Sequence, residues 1–251
     1  MIARTHAFRD VPAPTLVGLL GLSALAWAGL AVSMMTPLSM LMMPTHSHWG
    51  VATIGAVYGM WAVMMAAMML PSAVPMVAAL SKVAQARRSA SNPAVAFVAG
   101  YLVVWAAFSA IATAAQWALQ SAGMLSPMGS SMSRVLTGIV LLAAGVYQFT
   151  PLKRACLRQC RTPLGFLMTE WRDGTGGALI MGMRHGGFCL GCCWALMILL
   201  FAFGVMNLPW AAALAVIVAV EKVAPWGDLL SRVIGGLLAA SGAAVVLSAL
   251  L

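Results

Sequence analysis

A chain of 251 residues could hold one or two soluble domains, but 63% hydrophobic residues against 8% charged ones is a balance that excludes them and suits lipid. Fourteen Lys and Arg oppose five Asp and Glu, for a formal net charge of +9. These bases cluster in the short segments between apolar runs, which speaks for orientation in a membrane and against a nucleic-acid partner.

A helical span needs about 20 apolar residues, and seven segments qualify: 15–35, 50–78, 93–119, 133–150, 180–205, 207–222 and 229–250. The expected fold is therefore all-α, a polytopic transmembrane helix bundle of about seven spans forming one domain over residues 1–251. Arg4 and Arg9 precede the first run. That run is longer than a signal-peptide core of about 7–15 residues, so it reads as a retained first span. Bases recur in alternate connections, with Lys82, Arg87 and Arg88 in one, Lys153, Arg154, Arg158, Arg161 and Arg172 in another, and Lys222 and Arg232 in the last. The connections at 36–49, 120–132 and around 206 carry none. This alternation predicts the N-terminus inside, the C-terminus outside, and insertion in a bacterial inner membrane.

The first connection, SMMTPLSMLMMPTHSHW, holds Met34, Met35, Met40, Met42 and Met43 and then His46 and His48 without a charge. Thioethers bind Cu(I) without deprotonation, so the loop could gather copper outside the cell, or its methionines could simply dip into lipid. In the second segment Met60, Met64 and Met68 recur every four residues, as do Met65 and Met69. Such a stripe is more often packing filler than a ligand set. Pro71 and Pro75 each remove a backbone donor and should kink or end that helix.

Between the fourth and fifth spans, YQFTPLKRACLRQCRTP places Cys156 and Cys160 four apart, on one side of a short helix. The stretch HGGFCLGCCW from His185 to Trp194 follows, with Cys189, Cys192 and Cys193 close behind the histidine. At 100° per residue, His185, Cys189 and Cys192 fall at about 0°, +40° and −20°, and Met181 at about −40°, on one narrow face. Cys193 sits at its edge. Met181 and Cys192 are separated by roughly 16 Å of helix rise, too far to share one ion, so other helices would have to complete any shell. Glycines 182 and 186, and 187 and 191, form two pairs that would let neighbouring helices approach closely.

Intramembrane ionisable groups are costly and tend to be functional. Glu221 reaches the depth of Arg184 and His185, so it could pair with Arg184 or stand beside the histidine. Alternatively, Arg184 snorkels to the headgroups and Glu221 faces water beside Lys222.

All five cysteines lie between 156 and 193. Five thiols cannot all be paired internally, and a reducing compartment argues against structural disulfides. Metal ligation or redox exchange is the better account of the cluster. Thiolate and thioether donors favour Cu(I), imidazole with thiolate also suits zinc, and so few carboxylates disfavour magnesium. The chain has no phosphate-binding loop with lysine, no HExxH and no nucleophile elbow. These absences argue against ATP-driven transport by this chain alone.

The MWAVMMAAMMLP stretch ending at Pro71, TPLKRACLRQCRTP from Thr150 to Pro163, and HGGFCLGCCWALM running through GVMNLPW to Glu221 and Lys222 resemble, in the same order, a bacterial family of predicted metal-binding integral membrane proteins. The resemblance runs from about Trp49 to the C-terminus. It implies a metal site drawn from Cys156, Cys160, His185, Cys189, Cys192, Cys193 and Glu221. The leading expectation is a membrane protein that binds a soft metal, copper before zinc, and transports it or delivers it to a metalloprotein or metal chaperone. Met64, Met68, His46 and His48 are further candidate ligands. Two alternatives stand beside it: a transmembrane thiol–disulfide carrier using the Cys189–Cys192 CxxC, and an assembly subunit whose cysteines only pack.

Overall fold

The computed structural model describes residues 13–44, 48–87, 93–126 and 133–250, and the regular structure among them is helical. The helices are α1 (Ala13–Met34), α2 (Leu38–Met42), α3 (Val51–Ala86), α4 (Ala94–Ser121), α5 (Arg134–Tyr147), α6 (Pro151–Arg161), α7 (Pro163–Glu170), α8 (Gly174–Phe203), α9 (Leu208–Val223) and α10 (Gly227–Leu250). Each of the seven expected spans coincides with a helix. Arg4, Arg9, Arg88 and His46 fall outside the described residues.

Length separates the helices into two groups. Five helices, α1, α3, α4, α8 and α10, are long and apolar enough to cross a membrane, and a sixth crossing results if α5 and α6 are one broken span. The 14 residues of α5 rise only ~21 Å, against a hydrocarbon core of about 30 Å. After it, Thr150 caps a new helix by accepting from the Lys153 amide at 3.3 Å, and Pro151 occupies its first turn. The chain bends by 63° there. The 16 residues of α9 likewise rise only ~24 Å.

The expected second span is also extended, because α3 runs unbroken through Pro71 and Pro75 to Ala86. Pro71 cannot donate to the Ala67 carbonyl, and the Ser23 hydroxyl of α1 donates to it instead at 2.7 Å. A neighbouring helix thus supplies the hydrogen bond that the proline removes.

Packing puts α3 at the centre. Met60, Met64, Met65, Met68 and Met69 are buried in one continuous core with the cysteines of α8, whereas α10 lies mostly at the periphery. Two seams hold the rest. α4 and α8 run parallel, with Gly182 against the Phe97 carbonyl and Gly100 against the Leu179 carbonyl. α5 and α10 run antiparallel, with Gly138 against Gly242, and Gly145 against Gly235 and Ala239. At each of these glycines an added Cβ would lie inside backbone contact distance, so the seams close only because no side chain is there. A second apolar cluster, including Leu70, Val77, Phe97, Phe166 and Met181, docks the short α7 under α3, α4 and α8.

Candidate functional site

The small residues of α8 decide what meets its cysteines. Gly182 and Gly186 admit α4, and Gly191 admits α6, where the Cys156 sulfur would lie 2.7 Å from a Cβ at position 191. The Tyr147 hydroxyl also donates to the Gly191 carbonyl. Gly187 meets nothing, so of the two expected glycine pairs one works as a pair and the other through one member.

Cys189 is the focus of this junction and is fully buried. Its sulfur lies 2.9 Å from the Lys222 Nζ of α9 and 3.0 Å from the Tyr101 hydroxyl of α4. Lys222 also donates to Ser72 Oγ at 2.9 Å, and Ser72 donates to the Met69 carbonyl. Four helices therefore meet at one thiol. Among the described residues, the groups that touch the Lys222 ammonium include no carboxylate, although a buried cation needs a counter-charge. Cysteine is the most acidic side chain among Ser72, Tyr101 and Cys189, with an ordinary pKa of about 8.5 against about 10 for tyrosine. A Cys189 thiolate is thus the natural partner, and it would accept hydrogen bonds from both Lys222 and Tyr101.

The other thiols are arranged around it. Cys192 and Cys193 turn their sulfurs back to the Cys189 carbonyl, at 3.1 and 3.0 Å. Cys160 of α6 comes within hydrogen-bonding reach of Cys192, and Cys156 stands against Gly191. All five cysteines are free thiols, and the structure brings them to one region. Their sulfurs do not converge on one point: among the described residues, no group of three His, Cys, Asp or Glu side chains could hold a metal ion as it stands. Two thiols satisfied by a helix carbonyl can be freed by rotation about χ1 alone, since a helical cysteine has more than one accessible rotamer.

His185 shares the face of Cys189 but sits in an aromatic enclosure, with ring centroids of Phe166 at 5.5 Å, Phe97 at 5.7 Å and Tyr101 at 5.9 Å. Its Nδ1 has no hydrogen-bond partner. Tyr101 links the two groups by laying its ring on the imidazole and its hydroxyl on the Cys189 sulfur.

The pairing expected for Glu221 is corrected. Arg184 pairs with Glu170, whereas both carboxylate oxygens of Glu221 accept from Lys153 Nζ, at 3.0 and 2.9 Å. Ser231 donates to the same carboxylate at 2.8 Å, and Gln148 accepts from Lys153. Lys153 and Glu221 are each about 1% exposed, so neither faces water. The reason is the position of α9, whose end is wedged between α6 on one side and α3 and α8 on the other. Glu221 and Lys222, about 100° apart on the helix, are consequently buried against different neighbours.

Met64 and Met68 are buried on α3 in the same core as the cysteines. His48 is exposed, and Met35 and Met40, at 88% and 78% exposure, project from the loop beside it.

Sequence reasoning passed over Lys222, Lys153, Tyr101 and Ser72. The signal available was the Glu221–Lys222 pair at the end of an apolar run, where the cost of intramembrane charge should have assigned partners to both residues.

A protein-family model described as PpoB2, copper chaperone, matches residues 58–245. That range contains every cysteine, Tyr101, Lys153 and Lys222, and leaves out the methionine and histidine loop before α3. Neither a curated protein nor a solved structure matches the chain.

Proposed function

The chain belongs to the PpoB2 copper chaperone family, and from that premise we propose that it is an integral inner-membrane protein that takes Cu(I) into the thiol cluster around Cys189 and passes it to an acceptor metalloprotein. The observation that carries this reading is the Cys189 sulfur, buried and in contact with a lysine ammonium, amid four other free thiols. Soft thiolates favour Cu(I), and a Cu(I) ion held by two thiolates carries one net negative charge. Lys222 would neutralise that charge inside the core. The balance is simple: Cu(I) joins the Cys189 thiolate and a second thiol, either Cys192 or Cys193, which gives up its proton to water. No electron is transferred.

The depth of the site suits delivery. Lys222 and Cys189 each lie ~21 Å of helix rise from the α8–α9 turn. In a hydrocarbon core of about 30 Å this places the cluster in the half of the membrane nearer α6. The basic residues of α6 support that half as the cytoplasmic one. The parallel run of α4 with α8 and the antiparallel run of α5 with α10 support seven alternating segments, with α9 and the broken α5–α6 pair as crossings. Met35, Met40 and His48, exposed at the opposite end, would collect copper from outside.

Metal analysis of purified protein beside the Cys189→Ser, Cys192→Ser, Cys193→Ser triple variant tests the assignment. Copper should co-purify with the wild type and be lost from the variant. Retention of copper by the triple variant would defeat the proposal. A Cys192→Ser variant that traps a mixed disulfide with a partner, while Cys193→Ser binds metal normally, would replace it with a thiol–disulfide carrier.

A further inference from the structure

A second polar site lies on the other side of α9 from Cys189. Where α5 breaks into α6 and α10 begins, a cavity of about 330 Å³ is lined by residues including Gln148, Lys153, Arg154, Asp228 and Arg232. That volume is at the lower end of the range for small-ligand sites, roughly 300–1,000 Å³. Its charges do not cancel. Lys153 is neutralised by Glu221, and Asp228 by Arg161 at 2.7 Å. Arg154 and Arg232 make no ion pair among the described residues, which leaves the mouth with two free guanidinium groups.

Inside, Gln148 is 2% exposed, and its Nε2 has no hydrogen-bond partner. The amide orientation is fixed, because Lys153 can only donate and therefore takes the oxygen. A cavity lined by two arginines that make no ion pair, beside a buried glutamine with an unpaired amide donor, suits oxygen acceptors that carry negative charge.

We propose that this cavity binds the phosphate of a membrane phospholipid. Phosphate accepts bidentate bonds from guanidinium groups. The lipid source is favoured over a free ion by the apolar rim. Phe149 lines the cavity and is 48% exposed, and Leu152, Leu229 and Val233, each next in sequence to a lining residue, are exposed as well. They offer acyl chains exposed apolar surface on α6 and α10. Basic pockets between helices at a membrane boundary hold anionic headgroups on the same grounds. The occupant would brace the α5–α6 break, where the backbone itself provides no continuous helix. The proposal does not rest on the copper reading.

The test is native mass spectrometry of delipidated protein in neutral detergent, titrated with phosphatidylglycerol. One lipid should bind saturably, and the Arg154→Gln, Arg232→Gln double variant should weaken binding by about tenfold or more. Arg158→Gln, which removes an exposed charge from α6 outside the cavity, should bind as the wild type does. Millimolar inorganic phosphate should not displace the lipid. Equal binding by wild type and double variant would overturn the proposal. So would an equal loss in Arg158→Gln, and displacement by inorganic phosphate would make the ligand a free anion.

Discussion

A lysine ammonium taken out of water must meet a negative charge, and Lys222 meets a cysteine sulfur. Loading with Cu(I) would preserve this balance, since the copper dithiolate carries the same single negative charge as the thiolate it replaces. Removing one member of a buried pair costs about 3–5 kcal/mol because the other charge is left alone. Lys222→Met should therefore weaken Cu(I) binding by on the order of 100-fold, as read by competition with a Cu(I) chelator, while Lys222→Arg should lose less. Because the second thiol must release a proton, affinity should rise with pH by up to about tenfold per unit below the thiol titration, so binding at pH 8 exceeds that at pH 6. Equal affinities at the two pH values would transfer the site to the methionines of α3. Because either thiol can serve as the second donor, Cys192→Ser and Cys193→Ser should each weaken copper binding by only about twofold, and the double variant should lose it.

Helix α8 is placed by its glycines, and those contacts make a sharp comparison possible. An added Cβ at Gly182 would stand 2.0 Å from the Phe97 carbonyl oxygen, whereas one at Gly187 would meet nothing. Gly182→Ala should destabilise the protein by about 1–3 kcal/mol through overpacking. Gly187→Ala should be neutral or stabilising, by up to about 1 kcal/mol of helix propensity. Thermal unfolding in detergent distinguishes the two. Much of this level was legible beforehand: the apolar runs gave the helices, the glycine spacing gave the close approach to α4, and the CxxxC spacing gave a cysteine face on α6. The break at Thr150 and Pro151 was visible as a cap and a proline, but the apolar run up to residue 150 concealed its effect on length. What could not be read was which helix each polar group would meet. Lys153 sits in a basic, water-loving stretch, and only the tertiary fold turns it inward to Glu221 while its neighbour Arg154 stays outside.

At the scale of the molecule, two ideas reinforce each other: the cluster is buried where α3, α4, α6, α8 and α9 meet, and the matched family range covers α4, α6, α8 and α9 whole and α3 from residue 58. The proposed arrangement of seven alternating segments would put the C-terminus outside, so a C-terminal reporter active only in the periplasm should give signal, and one active only in the cytoplasm should not. The reverse result would mean that either α9 or the α5–α6 pair fails to cross. The account as a whole depends on copper being held by sulfur at Cys189. X-ray absorption at the copper edge of Cu(I)-loaded protein tests that most directly, comparing wild type with Cys189→Ser. The wild type should show an all-sulfur shell, and the variant should lose a sulfur or release the metal. A shell of nitrogen and oxygen donors, or a sulfur shell unchanged by Cys189→Ser, would contradict the account.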